Sequence, residues 1–163
     1  MRSQSWGLIT LVMFALCIVP VRAYAQVEDM TITVEGMSCN LCAAGLERSL
    51  RRVDGVAGVR VVLASQTATI RFKPQAPVAP ARIRAGVEDA GQLLRTVELR
   101  IRGALQHEDS RYELVAAGQA QAFAVRADAR LAALAGKNVR VRARVVSADN
   151  APIELQLIDI QPS

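Results

Sequence analysis

The chain of 163 residues is poor in the side chains that form elaborate metal or catalytic centres. It has three cysteines and one histidine, and aromatic residues make up 4% of it. Three cysteines are too few for a disulfide framework, and a closed four-ligand zinc site within one chain is not expected. Few rings and a net charge of only +5 argue against nucleic acid as a partner. With no recognisable Ser/His/Asp set, phosphate loop or carboxylate pair, we predict no catalytic residues and no enzyme.

The apolar content is high, at 52%, which is enough for a packed core and argues against disorder. Residues 1–25 have the features of an export signal, because a positive start and a fifteen-residue apolar run, Gly7–Val21, precede the small residues of Ala23–Ala25. A transmembrane helix needs roughly twenty apolar residues. We therefore expect cleavage, a periplasmic location and no stable membrane anchor afterwards, with an uncleaved anchor as the alternative.

Cys17 lies within the apolar run, so it should leave with the signal. The mature chain would then keep two cysteines, Cys39 and Cys42. Exported proteins usually use cysteines for disulfides, which makes a bond between these two one possibility.

Residues 26–102 have the pattern of a small two-layer domain. The alternating stretch MTITVE predicts a strand, and apolar residues at i, i+4 and i+7 from Leu46 predict a helix. The runs VAGVRVVLA and TATIRFK predict a hairpin, while Pro80 and Gly91 suit the start and the end of a second helix. The run LLRTVELRIRG predicts a last strand. The order βαββαβ is ferredoxin-like, so the predicted fold class is α+β.

Residues 103–163 have a mainly β pattern. Strands are predicted at RYELVAAG, AQAFAVRA, NVRVRARVVS and PIELQLIDI, and the segment Arg100–Leu105 adds a fifth. A short helix, DARLAALAG, is predicted between the third and fourth strands, which gives the order of a small OB-like barrel. In the run Val139–Val145, arginines alternate with apolar residues, so the arginines should lie on the solvent face.

The stretch GMSCNLC places Cys39 and Cys42 between the first strand and the first helix. Free N–H groups and the helix dipole favour thiolate over thiol at a helix N-terminus. Two thiolates at this spacing can converge on one soft cation such as Hg(II) or Cu(I), and Zn(II) is less expected because it would need two more donors. These residues alone leave a metal site, a redox pair and a disulfide open.

The stretch GMSCNLC resembles the G-M-[ST]-C-x-x-C loop of the heavy-metal-associated domain family. The resemblance covers residues 28–102, and it includes the turn VDGV at Val53–Val56, the strand TATIRF and the helix ending VEDAG. This family has the ferredoxin-like fold and includes copper chaperones, modules of metal-pumping ATPases and exported mercury-binding proteins. An export signal followed by one such domain looks most like the periplasmic mercury-binding branch.

The resemblance implies that Cys39 and Cys42 bind Hg(II) or Cu(I), and that Met37 packs under the loop without binding the metal. It also implies transfer by thiolate exchange to a membrane metal transporter or another thiol-bearing protein. One residue departs from the pattern, because bacterial members often have an aromatic residue where this chain has Gln92. The missing ring predicts a more open site, with readier exchange or a third outside ligand.

Two other functions fit the sequence. A Cys-x-x-Cys pair at a helix start is also the geometry of thiol–disulfide redox proteins, although no tryptophan lies beside this pair. In the second alternative, the barrel is an adaptor that binds a partner protein. Within the barrel, His107 with Glu108 and Asp109 is either a polar hairpin turn or a second metal site.

Overall fold

The computed structural model describes residues 27–116, 121–147 and 153–163. The predicted export signal and Cys17 lie outside these residues. The regular elements are β1 (Val27–Glu35), α1 (Asn40–Arg51), β2 (Val56–Val62), β3 (Thr67–Phe72), α2 (Pro80–Asp89), β4 (Leu93–Glu108), β5 (Arg111–Val115), β6 (Ala122–Val125), β7 (Asn138–Ser147) and β8 (Glu154–Pro162). Short 3-10 turns at Leu63–Ser65 and Ala132–Leu134 lie before β3 and before β7.

The first four strands form a ferredoxin-like sheet with the order β2-β3-β1-β4, in which all neighbours are antiparallel. The two helices contact each other and bury apolar stripes against the sheet. The buried side chains that meet between these layers include Met30, Ile32, Val34, Leu46, Leu50, Ile83 and Val87. They follow the strand and helix periods that the sequence shows, so the predicted βαββαβ order is confirmed.

The end of α2 brings the chain back towards the β1–α1 loop. Gly91 has a φ of +74°, a conformation that few other residues adopt, and its N–H donates to the Glu88 carbonyl at 2.8 Å. The N–H of Gln92 donates to the Val87 carbonyl at 3.1 Å, which completes the end of the helix. This turn places Gln92 directly before β4, whose first residue, Leu93, pairs with Glu35 at the end of β1.

Strand β4 belongs to both halves of the molecule. Its residues Leu93–Ile101 pair with β1, and Ala104–Glu108 pair with β5 on the same edge. On the opposite edge, Glu98–Ala104 pair with β7. The strand therefore runs unbroken past residue 102, where the sequence predicts a domain boundary, and that division stays a prediction.

The described strands of the second half close into a five-stranded barrel. The hydrogen-bonded order is β4-β5-β6-β8-β7, and β7 pairs again with β4. The pair β6–β8 is parallel, while the other pairs in the ring are antiparallel. Buried residues of the barrel and of the ferredoxin-like half form one continuous apolar cluster.

The short helix predicted at DARLAALAG is confirmed only as a 3-10 helix at Ala132–Leu134, and tight turns form the rest of the segment. The N–H groups of Leu131, Leu134 and Lys137 each donate to the carbonyl three residues earlier, at 3.0 Å. Leu131 is fully buried, while the residues on either side of it are exposed. The segment thus inserts one leucine into the core between β6 and β7, and a run of leucine and alanine this short does not distinguish turns from a helix.

The alternation predicted for β7 is confirmed. Val139, Val141 and Ala143 are buried, and Arg140, Arg142 and Arg144 are exposed. Since side chains alternate across a strand, the arginines form the outer face of the barrel, where two of them approach carboxylates of the ferredoxin-like half.

Candidate metal site

The loop between β1 and α1 is anchored from below. Gly36, at its start, has a φ of +95°, where a side chain would be strained. Met37 follows with only 1% of its surface exposed, and it belongs to the apolar core. Met37 therefore packs under the loop, which is the position that the family resemblance implies for it.

Cys39 is the N-cap residue of α1, with extended backbone angles of φ −144° and ψ 159°. Its Sγ accepts a hydrogen bond from the backbone N–H of Cys42 at 3.1 Å, and its carbonyl accepts one from Ala43 at 3.0 Å. The first turn of α1 has no acidic side chain, so no carboxylate repels negative charge at this sulfur. A thiolate at Cys39 would meet a hydrogen-bond donor and the positive end of the helix.

Cys39 and Cys42 are joined by a disulfide in this structure, and their Cα atoms are 5.1 Å apart. Cys39 is exposed and Cys42 is partly buried. The disulfide that the sequence left open is thus the form described here. Metal ions bind thiolates, so the bond has to be reduced before the pair can serve as ligands. Their role as ligands stays a prediction.

Gln92 lies beneath the loop, although it is fifty residues from Cys42 in sequence. Only 4% of it is exposed, and its Nε2 donates to the Cys42 carbonyl at 3.1 Å. A Cβ on Gly36 would lie 3.9 Å from both Cα and Cγ of Gln92, so this residue is next to both ends of the loop. The sequence predicted a more open site because Gln92 replaces an aromatic residue. In the structure, the buried Gln92 amide occupies this position. Sequence reasoning singled out Gln92 but missed its bond to Cys42, which no local pattern encodes.

Exposed leucines, polar residues and one charged pair lie around the cysteines. Leu41, between the two cysteines, is 81% exposed, and Leu93, next to Gln92, is 57% exposed. Arg95 and Glu35 form an ion pair on the neighbouring strand ends. Cys39 itself lies between Ser38 and Asn40, which are both polar and exposed.

The second metal site considered around His107 does not form. Asp109 and Ser110 have φ values of 47° and 68° and make a two-residue hairpin turn between β4 and β5. The His107 ring stacks on Tyr112, with ring centroids 4.4 Å apart. Across residues 27–116, 121–147 and 153–163, no three or more His, Cys, Asp or Glu side chains gather around a possible metal position. Neither helix in these ranges has the length and hydropathy of a membrane span.

The fold and the site together define the class of protein: a small ferredoxin-like domain with a pair of cysteines at the start of its first helix. Comparison with known proteins agrees with this class, because the family model of the heavy-metal-associated domain matches residues 31–92. The mercuric transport protein periplasmic component of Pseudomonas fluorescens is 30% identical over 77 residues, which are 47% of this chain and 84% of that protein. The chain belongs to the heavy-metal-associated domain family.

Copper proteins are also among its relatives. Copper-transporting ATPase 1 of Rhizobium meliloti is 40% identical over 81 residues, which are 50% of this chain but 9% of the ATPase. The chain thus spans less than a tenth of the ATPase's length. Among solved structures, oxidized MerP from Ralstonia metallidurans is 25% identical, with a TM-score of 0.39, and the match covers 44% of this chain and 94% of that one.

Proposed function

We propose that this protein binds one soft metal ion, Hg(II) or Cu(I), with Cys39 and Cys42 and passes it to a partner. The observation that supports this most directly is the position of both cysteines at the start of α1, with Cys39 exposed and the Cα atoms 5.1 Å apart. Two sulfur ligands suit soft cations that accept low coordination. Relatives named for mercuric transport and for copper transport point to the same two metals.

The cycle begins with reduction of the disulfide by a dithiol, which is itself oxidised to a disulfide while Cys39 and Cys42 become two thiols. Both thiols lose their protons as the metal ion binds. A thiolate of the partner then adds to the two-coordinate ion, and one of the two original thiolates leaves. Cys39 is the more exposed sulfur, so it is the one that the partner reaches first. The partner is a thiol-bearing protein, and a membrane metal transporter fits this role.

We place this activity in the periplasm, without an enzymatic step. The features of an export signal in residues 1–25 support that location, as does the relative named a periplasmic component. For the second half we retain the OB-like assignment, which is supported by the closed strand order and by the parallel β6–β8 pair. Binding of a partner protein by this barrel stays a prediction.

A competition titration of the reduced protein with Hg(II), Cu(I), Zn(II) and Cd(II) tests the proposal. We expect uptake of about one Hg(II) or Cu(I) per chain and weaker binding of Zn(II). The double variant Cys39→Ser with Cys42→Ser should lose this uptake. Met37→Leu is the matched control, because it removes a buried sulfur atom from the same loop while leucine has a volume similar to that of methionine. This variant should leave uptake unchanged. Equal uptake by the double variant would overturn the proposal.

The disulfide favours a second candidate, in which the same pair exchanges disulfides with client thiols. A disulfide-reductase assay separates the two functions. Multiple turnovers with a thiol reductant and a disulfide substrate would support the redox function, and stoichiometric metal uptake without turnover supports the metal-binding one.

A further inference from the structure

Gln92 is the one polar side chain that is buried in the described part of the chain. Its Nε2 donates to the Cys42 carbonyl, and this bond fixes which end of the amide faces the loop. The other end, Oε1, is buried and has no hydrogen-bond partner among the described residues. An acceptor without a partner thus belongs to the same amide that bonds the Cys42 carbonyl.

A buried acceptor without a partner is unusual, since native proteins satisfy nearly all such groups. Leaving one unsatisfied costs at least as much free energy as an ordinary hydrogen bond contributes. In this structure the cost falls on the disulfide form, because Cys39 and Cys42 are bonded. Opening that bond creates two S–H donors and removes the covalent tie between Cys39, the N-cap residue, and the first turn of α1.

We propose that Gln92 is a positioning residue for the cysteine pair and that it favours the reduced, metal-binding form. Its Nε2–H holds the Cys42 carbonyl in both forms. Its Oε1 gains a donor, an S–H or a loop N–H, only after the disulfide opens. The free energy of the reduced form is thereby lowered relative to the disulfide form. This inference rests on the proposed function only in that the reduced form is the one that takes up metal.

The equilibrium with glutathione tests this without any metal. Two glutathione thiols reduce the disulfide, giving two cysteine thiols and one oxidised glutathione. We compare the protein with Gln92→Met, which removes both polar atoms at similar length. We expect the variant's equilibrium to shift towards the disulfide by about ten-fold, the effect of removing one unsatisfied buried acceptor from one form only.

Two further variants keep the test decisive. Gln92→Phe introduces the kind of residue that bacterial members have at this position, and it should shift the equilibrium in the same direction if Gln92→Met folds poorly. Gln121→Met is the matched control, because the Gln121 amide bonds the backbone of Val78 and not the cysteine loop. Its Nε2 donates to the Val78 carbonyl at 2.8 Å, and its Oε1 accepts from the Val78 N–H at 2.9 Å. It should lower the melting temperature and leave the glutathione equilibrium unchanged.

A purely structural role for Gln92 would lower the melting temperatures of the oxidised and reduced forms equally and leave the equilibrium constant unchanged. That result would overturn the inference, as would a water molecule that satisfies Oε1 in the disulfide form, because it too abolishes the shift. Metal uptake is measured separately on each fully reduced variant. Loss of the redox shift with intact uptake rejects the positioning role alone, and loss of uptake by the reduced wild type rejects the proposed function alone.

Discussion

The two halves of this molecule arrange their polar groups in different ways. In the ferredoxin-like half, the cysteine pair lies where the chain leaves the sheet, at a four-residue loop that Met37 and Gln92 contact. In the barrel, the charged groups lie along the strands and pair across them, as Arg140 does with Glu28. Loops at strand ends tolerate many sequences, whereas strand residues must alternate between buried and exposed side chains. The candidate site is therefore a local feature of one loop, carried by a sheet whose strand β4 both halves share.

The strands and the apolar core, however, are not divided between the two halves. Strand β4 belongs to both halves, and the buried side chains form one cluster. The amide of Gln121, just before β6, forms hydrogen bonds with both the N–H and the carbonyl of Val78, just before α2. We therefore expect the halves to unfold together although only one of them carries the cysteine pair.

The largest expected effect comes from the barrel core. Phe123 is the largest fully buried side chain among the described residues, and Phe123→Ala should lower the free energy of unfolding by about 3–5 kcal/mol. Leu46→Ala is the matched change in α1 of the ferredoxin-like half. If the halves are one cooperative unit, calorimetry gives a single transition for both variants. Two separate transitions in Phe123→Ala would show instead that the barrel unfolds by itself.

A pair of glycine substitutions compares the junction with the helix that follows the cysteine loop. A Cβ at Gly103 in β4 would lie 2.6 Å from the Val115 carbonyl oxygen, so Gly103→Ala forces backbone apart and should cost about 1–3 kcal/mol. Gly45 in α1 has no atom within 4 Å of that position, so Gly45→Ala should stabilise the protein by about 0.5–1 kcal/mol. Urea unfolding measures both. A stabilising Gly103→Ala would contradict the close approach of β4 and β5.

The ion pairs across the junction should matter less. Glu28 on β1 approaches Arg140 on β7 at 3.5 Å and also pairs with Arg102 on β4. These side chains are partly exposed, so Glu28→Gln should cost about 0.2–1 kcal/mol, with a smaller loss at high salt. Glu47→Gln is the control, since it breaks the pair with Arg51 within α1. A loss at Glu28 that does not respond to salt would show that packing, rather than charge, joins the halves there.

The smallest effect concerns the turn before β7. Hydrogen bonds from Arg130 lower the pKa of Asp128 from 3.8 to about 2. A carboxyl whose pKa is lowered in the folded state stabilises the fold above its unfolded pKa, so this contribution is present above about pH 4 and disappears as the pH falls through about 2. Arg130→Met should return the pKa towards 3.8, as an NMR titration of the carboxyl would show. The backbone N–H of residue 130 still donates to Asp128 in this variant, so an unchanged pKa would mean that the Arg130 side chain is not the cause.

Local patterns predicted much of this structure. The alternation in MTITVE and the helical spacing from Leu46 depend on neighbouring residues, and both are confirmed by burial in the structure. The family loop placed Cys39 at a helix start, where the structure has it as the N-cap. The helix predicted at DARLAALAG is reduced to a 3-10 helix at Ala132–Leu134, because Leu131 alone is fully buried and one buried leucine fits a turn as well as a helix.

The sequence by itself determined which elements form in the ferredoxin-like half and which two sulfurs lie at the start of α1. Those features depend on side-chain periodicity and on contacts between residues close together in the chain. Only the tertiary structure decided that one strand serves both halves, and that the Gln92 amide reaches Cys42 while its carbonyl oxygen stays without a partner in the described residues. Both features join groups that are distant in sequence, and their hydrogen bonds exist only once the core has packed around them.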